Sequence, residues 1–317
     1  MICASYEAYA AAVYSISSMI RILGTLFAGL LGLAFGSFLN VCLSRWPEGE
    51  SIVHPRSHCR SCGRTLAWWE NVPLVSWLAL RGRCRSCRAS ISWRYPLVEL
   101  AVGALWATAA WQVLASTTSP VPSDLLWAVA IYGLSQMILL WLLVALAVLD
   151  FEHLWLPDKI TLPGILLGYA TTLLYAAVNS KRVFAFYGAL GLRSRFFWHT
   201  VWERLLAILV AAGLILLIRW IYWLVRRREG IGLGDAKLMA MLAAWLGLQG
   251  ALLSFGLGVV LGAVAGLVLL VLPSTREKKE SWALTKLPLG TFLCIGGIVS
   301  SLWGEQMIDA YRRWAGF

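Results

Sequence analysis

"QMILLWLLVALAVLD", residues 136–150, runs fourteen residues without a charge and then ends on a carboxylate. Such a run belongs either to a buried core helix or to a membrane span, and the rest of the chain decides which. Of its 317 residues 60% are hydrophobic and only 14% charged, with a mean hydropathy of +0.73. A soluble globular chain carries about 25% charged residues, so a polytopic membrane protein is expected. Crossing ~30 Å of hydrocarbon takes about 20 apolar residues at 1.5 Å each. Windows of that kind fall near 22–44, 95–115, 125–149, 160–178, 205–225, 236–250, 251–272 and 288–304. The sixth and seventh nearly abut, which calls for a tight hairpin at Gln249 and Gly250.

Residues 1–20 hold no Lys or Arg, and the apolar run after Arg21 is too long for the core of a cleavable signal and has no A-x-A site. It reads as the first transmembrane helix. The predicted fold is therefore an all-α polytopic membrane protein of about eight transmembrane helices with a small polar insert. Its predicted divisions are a first helix at 1–44, the insert at 45–94 and a helical body at 95–317. No internal repeat is expected.

Charge orients this body. With the insert placed in the cytoplasm, 17 of the 27 Lys and Arg fall on that side and 8 on the other, with Arg219 and Lys237 inside spans. The bias matches the excess of basic residues found in cytoplasmic loops. The five basic residues between Lys181 and Arg204 run against it. A net charge of +11 would suggest nucleic acid in a soluble protein. Here it reads as membrane-flanking charge facing phospholipid, with no nucleic-acid partner.

The insert contains "CRSCGRTLAWWENVPLVSWLALRGRCRSC", in which Cys59 and Cys62 are separated by 21 residues from Cys84 and Cys87. Two CxxC pairs supply four thiolates suited to tetrahedral Zn²⁺ with Zn–S bonds of ~2.3 Å. Arginines at 60, 64, 83, 85 and 88 would offset the charge of a Zn(Cys)₄ centre. Redox dithiols and disulfides are the competing readings, and a cytoplasmic loop disfavours the second. A short polar insert has little core of its own, which favours a structural, zinc-ribbon-like metal staple. His54 and His58 are ordinary loop histidines on this reading. Cys3, Cys42 and Cys294 are packing thiols, and Trp68, Trp69, Trp77 and Trp93 with Tyr95 are interfacial anchors.

Acidic residues at span boundaries need a reason, and the candidates are Glu99, Asp150, Glu152, Asp158 and Asp235. Asp158 follows Pro157 and is expected to cap the fourth span. Asp235 heads the apolar "AKLMAMLAAWLG" and is equally suited to capping. Asp150 has no such excuse. It ends a helix, where the negative end of the helix dipole disfavours a carboxylate, and local choices of that kind collect at functional sites. In the topology above Asp150 and Asp235 share the cytoplasmic face. Two carboxylates meeting beside an apolar wall can share one proton, so that one activates water while the other protonates a carbonyl. Lys237 would add to the charge around Asp235 if it turned toward the site. Glycines 230, 232 and 234 would let the backbone bend into it. The spacing is GxGxG without a preceding strand, which does not fit a phosphate loop.

The pieces "GSFLNVCLSRWP" at 36–47, the cysteine stretch within 55–99, "LDFEHLWLPDKITLP" at 149–163 and "GIGLGDAKLMAMLAAWLG" at 230–247 together resemble the type IV prepilin peptidase family. The resemblance implies a GxGD-type membrane aspartyl protease with its catalytic pair on Asp150 and Asp235. It implies cleavage of the short basic leader of prepilins and pseudopilins after a glycine, at the cytoplasmic face of the bacterial inner membrane. It further implies, as in many members, methylation of the new N-terminal residue from S-adenosylmethionine, an activity associated with the cysteine insert. No residue of this chain is assigned to that cofactor. In "KLPLGTFLCIGG", 286–297, Thr291 stands where the family usually has proline after the glycine. An ion-coupled transporter or channel with a zinc-knuckle regulatory module is the alternative, although no inverted repeat supports it.

Overall fold

A computed structural model describes residues 2–116, 123–187, 190–228, 232–271 and 287–316. Gly230 and the basic residues Arg276, Lys278, Lys279 and Lys286 lie outside these, as does the side chain of Cys3. The described chain is mostly helical, with α1 Ile2–Arg45, a short α2 Val75–Ala79, α3 Arg94–Ser116, α4 Ser123–His153, α5 Asp158–Tyr187, α6 Leu190–Arg226, α7 Leu233–Val271 and α8 Leu289–Ala315, and the stretch 46–93 around α2 is largely turns. Six of these helices are long and apolar enough to cross a membrane. The chain forms two compact units, residues 1–144 and 145–317.

In the first unit α1 packs on α3 at very short range. Gly32 lies against the Cα of Gly103, and Gly36 against the Cα of Glu99, where a Cβ would come within 2.9 and 2.7 Å. Lipid chains are as apolar as the helices, so small residues that admit close van der Waals contact drive the pairing. Leu39, Leu43, Val98, Val102 and Trp106 fill that seam, and the Asn40 side chain donates to the Tyr95 carbonyl at 2.9 Å. Glu99, buried at the same level, accepts the Leu74 backbone N–H at 2.8 Å and thereby holds the insert to the head of α3.

In the second unit the start of α7 is the core, with Leu238, Met239, Met241 and Leu242 fully buried. Trp245 and Thr172 tie α7 to α5 through the carbonyls of Gly164 and Ala244, at 2.9 and 3.2 Å. The helix of α7 is interrupted at Gly247 (φ 74°, ψ 179°). Its start lies at the head of α8, because the Leu156 side chain touches both Gly234 and Gly290. Its end lies there too, since Gly266 faces Leu287, Gly262 faces Phe292 and Gly258 faces Leu293. Both ends of α7 therefore meet one end of α8, and the chain doubles back at Gly247. The hairpin expected at Gln249 and Gly250 is real but comes two residues earlier, where a positive φ selects glycine. The windows 236–250 and 251–272 thus become the two arms of one interrupted helix. The other windows fall on α1, α3, α4, α5, α6 and α8.

Candidate active site and metal centre

The carboxylate end is assembled from four helix termini of the second unit. Asp150 lies in the last turn of α4, is buried, and accepts the Thr291 backbone N–H on Oδ2 at 2.6 Å. The Thr291 hydroxyl lies 3.2 Å from the same oxygen and 3.0 Å from the Ala147 carbonyl. Thr291 occupies the first turn of α8, whose N-cap is Pro288. The first N–H groups of a helix have no acceptor within it, and this one is spent on the carboxylate. Asp150 thus ends one helix but faces the start of another. A helix end contributes about 0.3–1 kcal/mol, rising to ~2 when partly buried. Two donors to a carboxylate contribute about 1.5–3 kcal/mol each, so the α8 terminus outweighs the unfavourable end of α4.

Asp235, also buried, sits in the first turn of α7, and its Oδ2 accepts the Gly232 N–H at 3.2 Å. It does cap its helix, from the third helical position back toward the residue before the start, which is one half of a capping box. A Cβ on Gly290 would come within 2.9 Å of the Asp150 carboxylate carbon and of Leu156, while one on Gly234 would come within 3.0 Å of Leu156. One leucine side chain therefore spans two helix starts, that of α7, which carries Asp235, and that of α8, which holds Asp150 through Thr291.

Two sequence expectations are corrected here. Lys237 does not turn toward Asp235; its ammonium pairs with Asp158 Oδ1 at 2.5 Å. Asp158 is the first residue of α5 rather than a cap, and its carboxylate is used in that ion pair. Both partners are partly exposed, at 35% and 57%, so the pair joins α5 to α7 at the surface, not in the buried pocket. Glu152 is exposed, with its carboxylate 3.9 Å from His153. Thr291, Gly290 and Leu156 are the functional neighbours that residue-by-residue reading did not find. Their one sequence signal is the threonine where proline is usual.

In the first unit Cys59, Cys62, Cys84 and Cys87 come together with all four sulfurs within 4.8 Å of one another. They are free thiols, so the disulfide reading is not supported. The Cys59 and Cys87 sulfurs are 3.7 Å apart, against the ~3.8 Å edge of a tetrahedron with 2.3 Å metal–sulfur bonds. The donor set and its spacing fit a zinc ion.

The two halves of this site repeat each other at a spacing of 25 residues, contrary to the expectation of no repeat. Cys59 N–H donates to Arg64 O and Gly63 N–H to Cys59 O, at 2.9 and 2.8 Å; Cys84 N–H donates to Ala89 O and Arg88 N–H to Cys84 O, at 2.8 and 3.0 Å. Antiparallel bridges close both turns, His58 with Thr65 and Arg83 with Ser90. The residue after each second cysteine adopts a positive φ, 70° at Gly63 and 59° at Arg88. These turns aim backbone N–H groups at sulfur. The N–H groups of Cys62 and Ser61 pull the Cys59 thiol down, and those of Cys87 and Ser86 pull Cys84 down to about 6. A thiol so biased is ready to lose its proton to a metal.

The arginines divide. Arg60 pairs with Glu48 at 3.3 Å, Arg64 pairs with the buried Glu70 at 2.5 Å, and Arg85 stacks on Trp69 at 5.0 Å. Arg60 and Arg64 thus each hold a carboxylate, and Arg64 lies in addition within the field of the Cys62 and Cys84 sulfurs.

Comparison with known proteins agrees with both halves. The Bacterial Peptidase A24 N-terminal domain matches residues 30–113, which contain the cysteines, and the Type IV leader peptidase family matches 137–267, which contain the aspartates. A prepilin leader peptidase/N-methyltransferase of Stutzerimonas stutzeri is 35% identical over 92% of this chain and 94% of its own length. The protein of the same name from Pseudomonas aeruginosa is 34% identical over 91% and 93%. That of Myxococcus xanthus is 39% identical over 80% and 67%. No solved structure matches the chain.

Proposed function

The chain belongs to the type IV leader peptidase family, and from that premise we propose that Asp150 and Asp235 are the catalytic pair of a membrane aspartyl protease. The enzyme removes the leader of prepilins and methylates the N-terminus it exposes. The observation that carries the residue assignment is the burial of both carboxylates at helix ends that Leu156 links, each with an oxygen already held by a backbone N–H. Two carboxylates within each other's field hold one proton between them more easily than none or two. One then takes a proton from water as it attacks the scissile carbonyl, and the other gives a proton to the carbonyl oxygen. Glycine at 234 and 290 lets the helix starts close in, since Leu156 and the Asp150 carboxylate fill the space a Cβ would need.

The membrane-embedded chain is oriented, on its basic residues, with the insert and the aspartate end toward the cytoplasm of the bacterial inner membrane. That is the side on which a short basic leader would be presented, and substrate pseudopilins would enter the same way. The division into a first helix at 1–44, an insert at 45–94 and a protease body at 95–317 is the functional one we adopt. Cys59, Cys62, Cys84 and Cys87 would hold one structural Zn²⁺ that staples the two turns of the insert. S-adenosylmethionine supplies the methyl group for the second activity.

The test is direct. The detergent-purified full chain is incubated with a synthetic prepilin, with and without S-adenosylmethionine, and the product is read by intact mass. Loss of the leader, followed by a gain of one methyl group only when the donor is present, is the expected result. Intact substrate after prolonged incubation would sink the protease reading.

A further inference from the structure

The seam between α1 and α3 buries two polar side chains that its packing does not require. Asn40 is 2% exposed; its Nδ2 donates to the Tyr95 carbonyl, while its Oδ1 is buried without a partner. Glu99 is 7% exposed, one turn beyond Tyr95 on α3, and its Cα lies against Gly36, one turn before Asn40 on α1. An unsatisfied buried oxygen is costly. So is a carboxylate within a membrane-crossing helix such as α3, where an ionisable group marks a functional site by default.

Glu99 has donors but no counter-charge. Its Oε2 accepts the Leu74 N–H at 2.8 Å, and the Ser37 side chain adds a second bond. A carboxylate offers about four acceptor positions, so part of its capacity is unused. Arg45, the buried cation of α1, donates to the Ser51 and Pro55 carbonyls at 2.7 and 2.6 Å instead. Among the described residues no cation pairs with Glu99. Leu74 is held over the carboxylate in a tight turn (φ 58°, ψ −49°), with the Val75 N–H on the Pro73 carbonyl at 2.6 Å. Turns of this hand are rare and strained in a bulky residue, and such strain gathers at functional sites. The seam thus presents acceptors from two helices and lacks a charged donor. An alkylammonium group is its complement, with three N–H donors, one positive charge and no acceptor.

We propose that Glu99 and Asn40 bind the N-terminal ammonium group of the cleaved substrate for methylation, and that Glu99 is the base that takes its proton. The proposal rests on the reading of this chain as the methyltransferase of the substrate it cleaves. An ammonium nitrogen has no lone pair to attack with, so it first gives one proton to Glu99. The lone pair so freed forms the N–C bond as the S–C bond of the methyl donor breaks and its electron pair stays on sulfur. Asn40 Oδ1 accepts one of the remaining N–H groups and so fixes the direction of that lone pair. The proton on Glu99 passes to water as the methylated product leaves.

The full chain in detergent is given S-adenosylmethionine and a synthetic peptide carrying the N-terminus that cleavage frees, and methyl transfer is followed by intact mass for kcat and KM separately. Glu99→Gln keeps an acceptor for the Leu74 N–H but cannot take a proton. Its kcat for methylation falls about 10²-fold or more, while leader cleavage stays within about threefold. Glu99→Asp, which keeps a carboxylate, retains more methylation than Glu99→Gln. Asn40→Leu raises KM for the peptide about tenfold with kcat within about threefold. Because it removes an unsatisfied buried oxygen, its thermal midpoint is no lower than that of the wild type, a combination that a merely structural asparagine would not give. A second readout needs no turnover: without the methyl donor, the wild type binds the free-amine peptide about tenfold more tightly than its N-acetylated form, and Glu99→Gln no longer tells them apart. Equal methylation by the wild type and Glu99→Gln, an unchanged KM in Asn40→Leu, or a parallel loss of cleavage and methylation in Glu99→Gln overturns the proposal. A wild type that cleaves and never methylates would instead remove the reading on which it rests.

Discussion

The cysteine centre draws its ligands from two stretches of four residues, 59–62 and 84–87, whereas the carboxylate end joins Asp150 to a donor 141 residues away in the chain. Within each cysteine turn a few hydrogen bonds and one positive φ suffice to set the geometry, and the same set recurs 25 residues later. Nothing so local builds the other site. Asp150, Leu156, Asp235 and Thr291 meet only because α4, α5, α7 and α8 end at one level, and α7 reaches that level at both its ends by reversing at Gly247. A site made of turns can be stapled by a metal. A site made of helix termini is held by the packing of whole helices and by their unspent N–H groups.

The sharpest break between the two regions comes from removing charge at the carboxylates. Asp150→Asn and Asp235→Asn each lower leader cleavage by about 10²- to 10⁴-fold, the range for a lost acid or base, while leaving the metal content and membrane insertion of the protein intact. Intact-mass assay of a prepilin peptide and elemental analysis of the same preparation check both halves. Loss of zinc along with activity would mean that the two regions are not separable.

The converse experiment starts at the cysteines. Replacing Cys84 with serine releases the metal, from one ion per chain toward none, and loosens residues 46–93, because an insert of this size depends on its ligand for folding. Limited proteolysis shows the loosening. Methylation falls with it by about tenfold or more, and cleavage by no more than about threefold. Freshly purified, reduced wild-type protein without zinc would remove the metal from this account and restore the redox-dithiol reading.

The comparison also says what could be read from the sequence. The apolar windows, the CxxC pairs and the two aspartates were legible, because composition, four-residue spacing and a carboxylate on an apolar run are local signals. The 25-residue repeat was present as "CRSC" written twice, but its meaning lies in the hydrogen bonds around it. The partners of the aspartates were not legible, since no local pattern tells that Leu156 touches two helix starts or that Thr291 faces Asp150. For the same reason the sequence leaves open which way Lys237 turns, and its partner, Asp158, is 79 residues away.

A milder test separates the third aspartate from the other two. Asp158 and Lys237 form a partly exposed ion pair, and such pairs contribute about 0–1 kcal/mol. Asp158→Asn and Lys237→Met therefore lower cleavage by no more than about fivefold, and the double variant is no worse than the poorer single one. A dead Asp158→Asn beside an active Asp150→Asn would transfer the catalytic role to Asp158.

The smallest effect is on the insert and on pH. The Glu70 carboxyl is held below its ordinary 4.5 by the Ala67 N–H, and after that by the Arg64 guanidinium. Folded, this group binds its proton less readily than unfolded, so the stabilisation it brings is complete above about pH 4.5 and is lost as the pH falls through the lower, folded value. Acid also protonates the cysteines, so the wild type alone cannot isolate the carboxylate. Compared with Glu70→Gln, however, the thiol contribution cancels. Hydrogen exchange over residues 57–70 in the full chain should show better protection in the wild type at neutral pH, by an amount that is constant down to about pH 5 and then closes toward acid. Arg64 reaches Glu70 from only two residues past Cys62, so this ion pair ties the metal turn to the rest of the insert, as Arg60 does through Glu48. A protection difference that widened in acid would mean that the buried carboxyl serves the insert as a neutral donor, and that the turns around the cysteines hold without it.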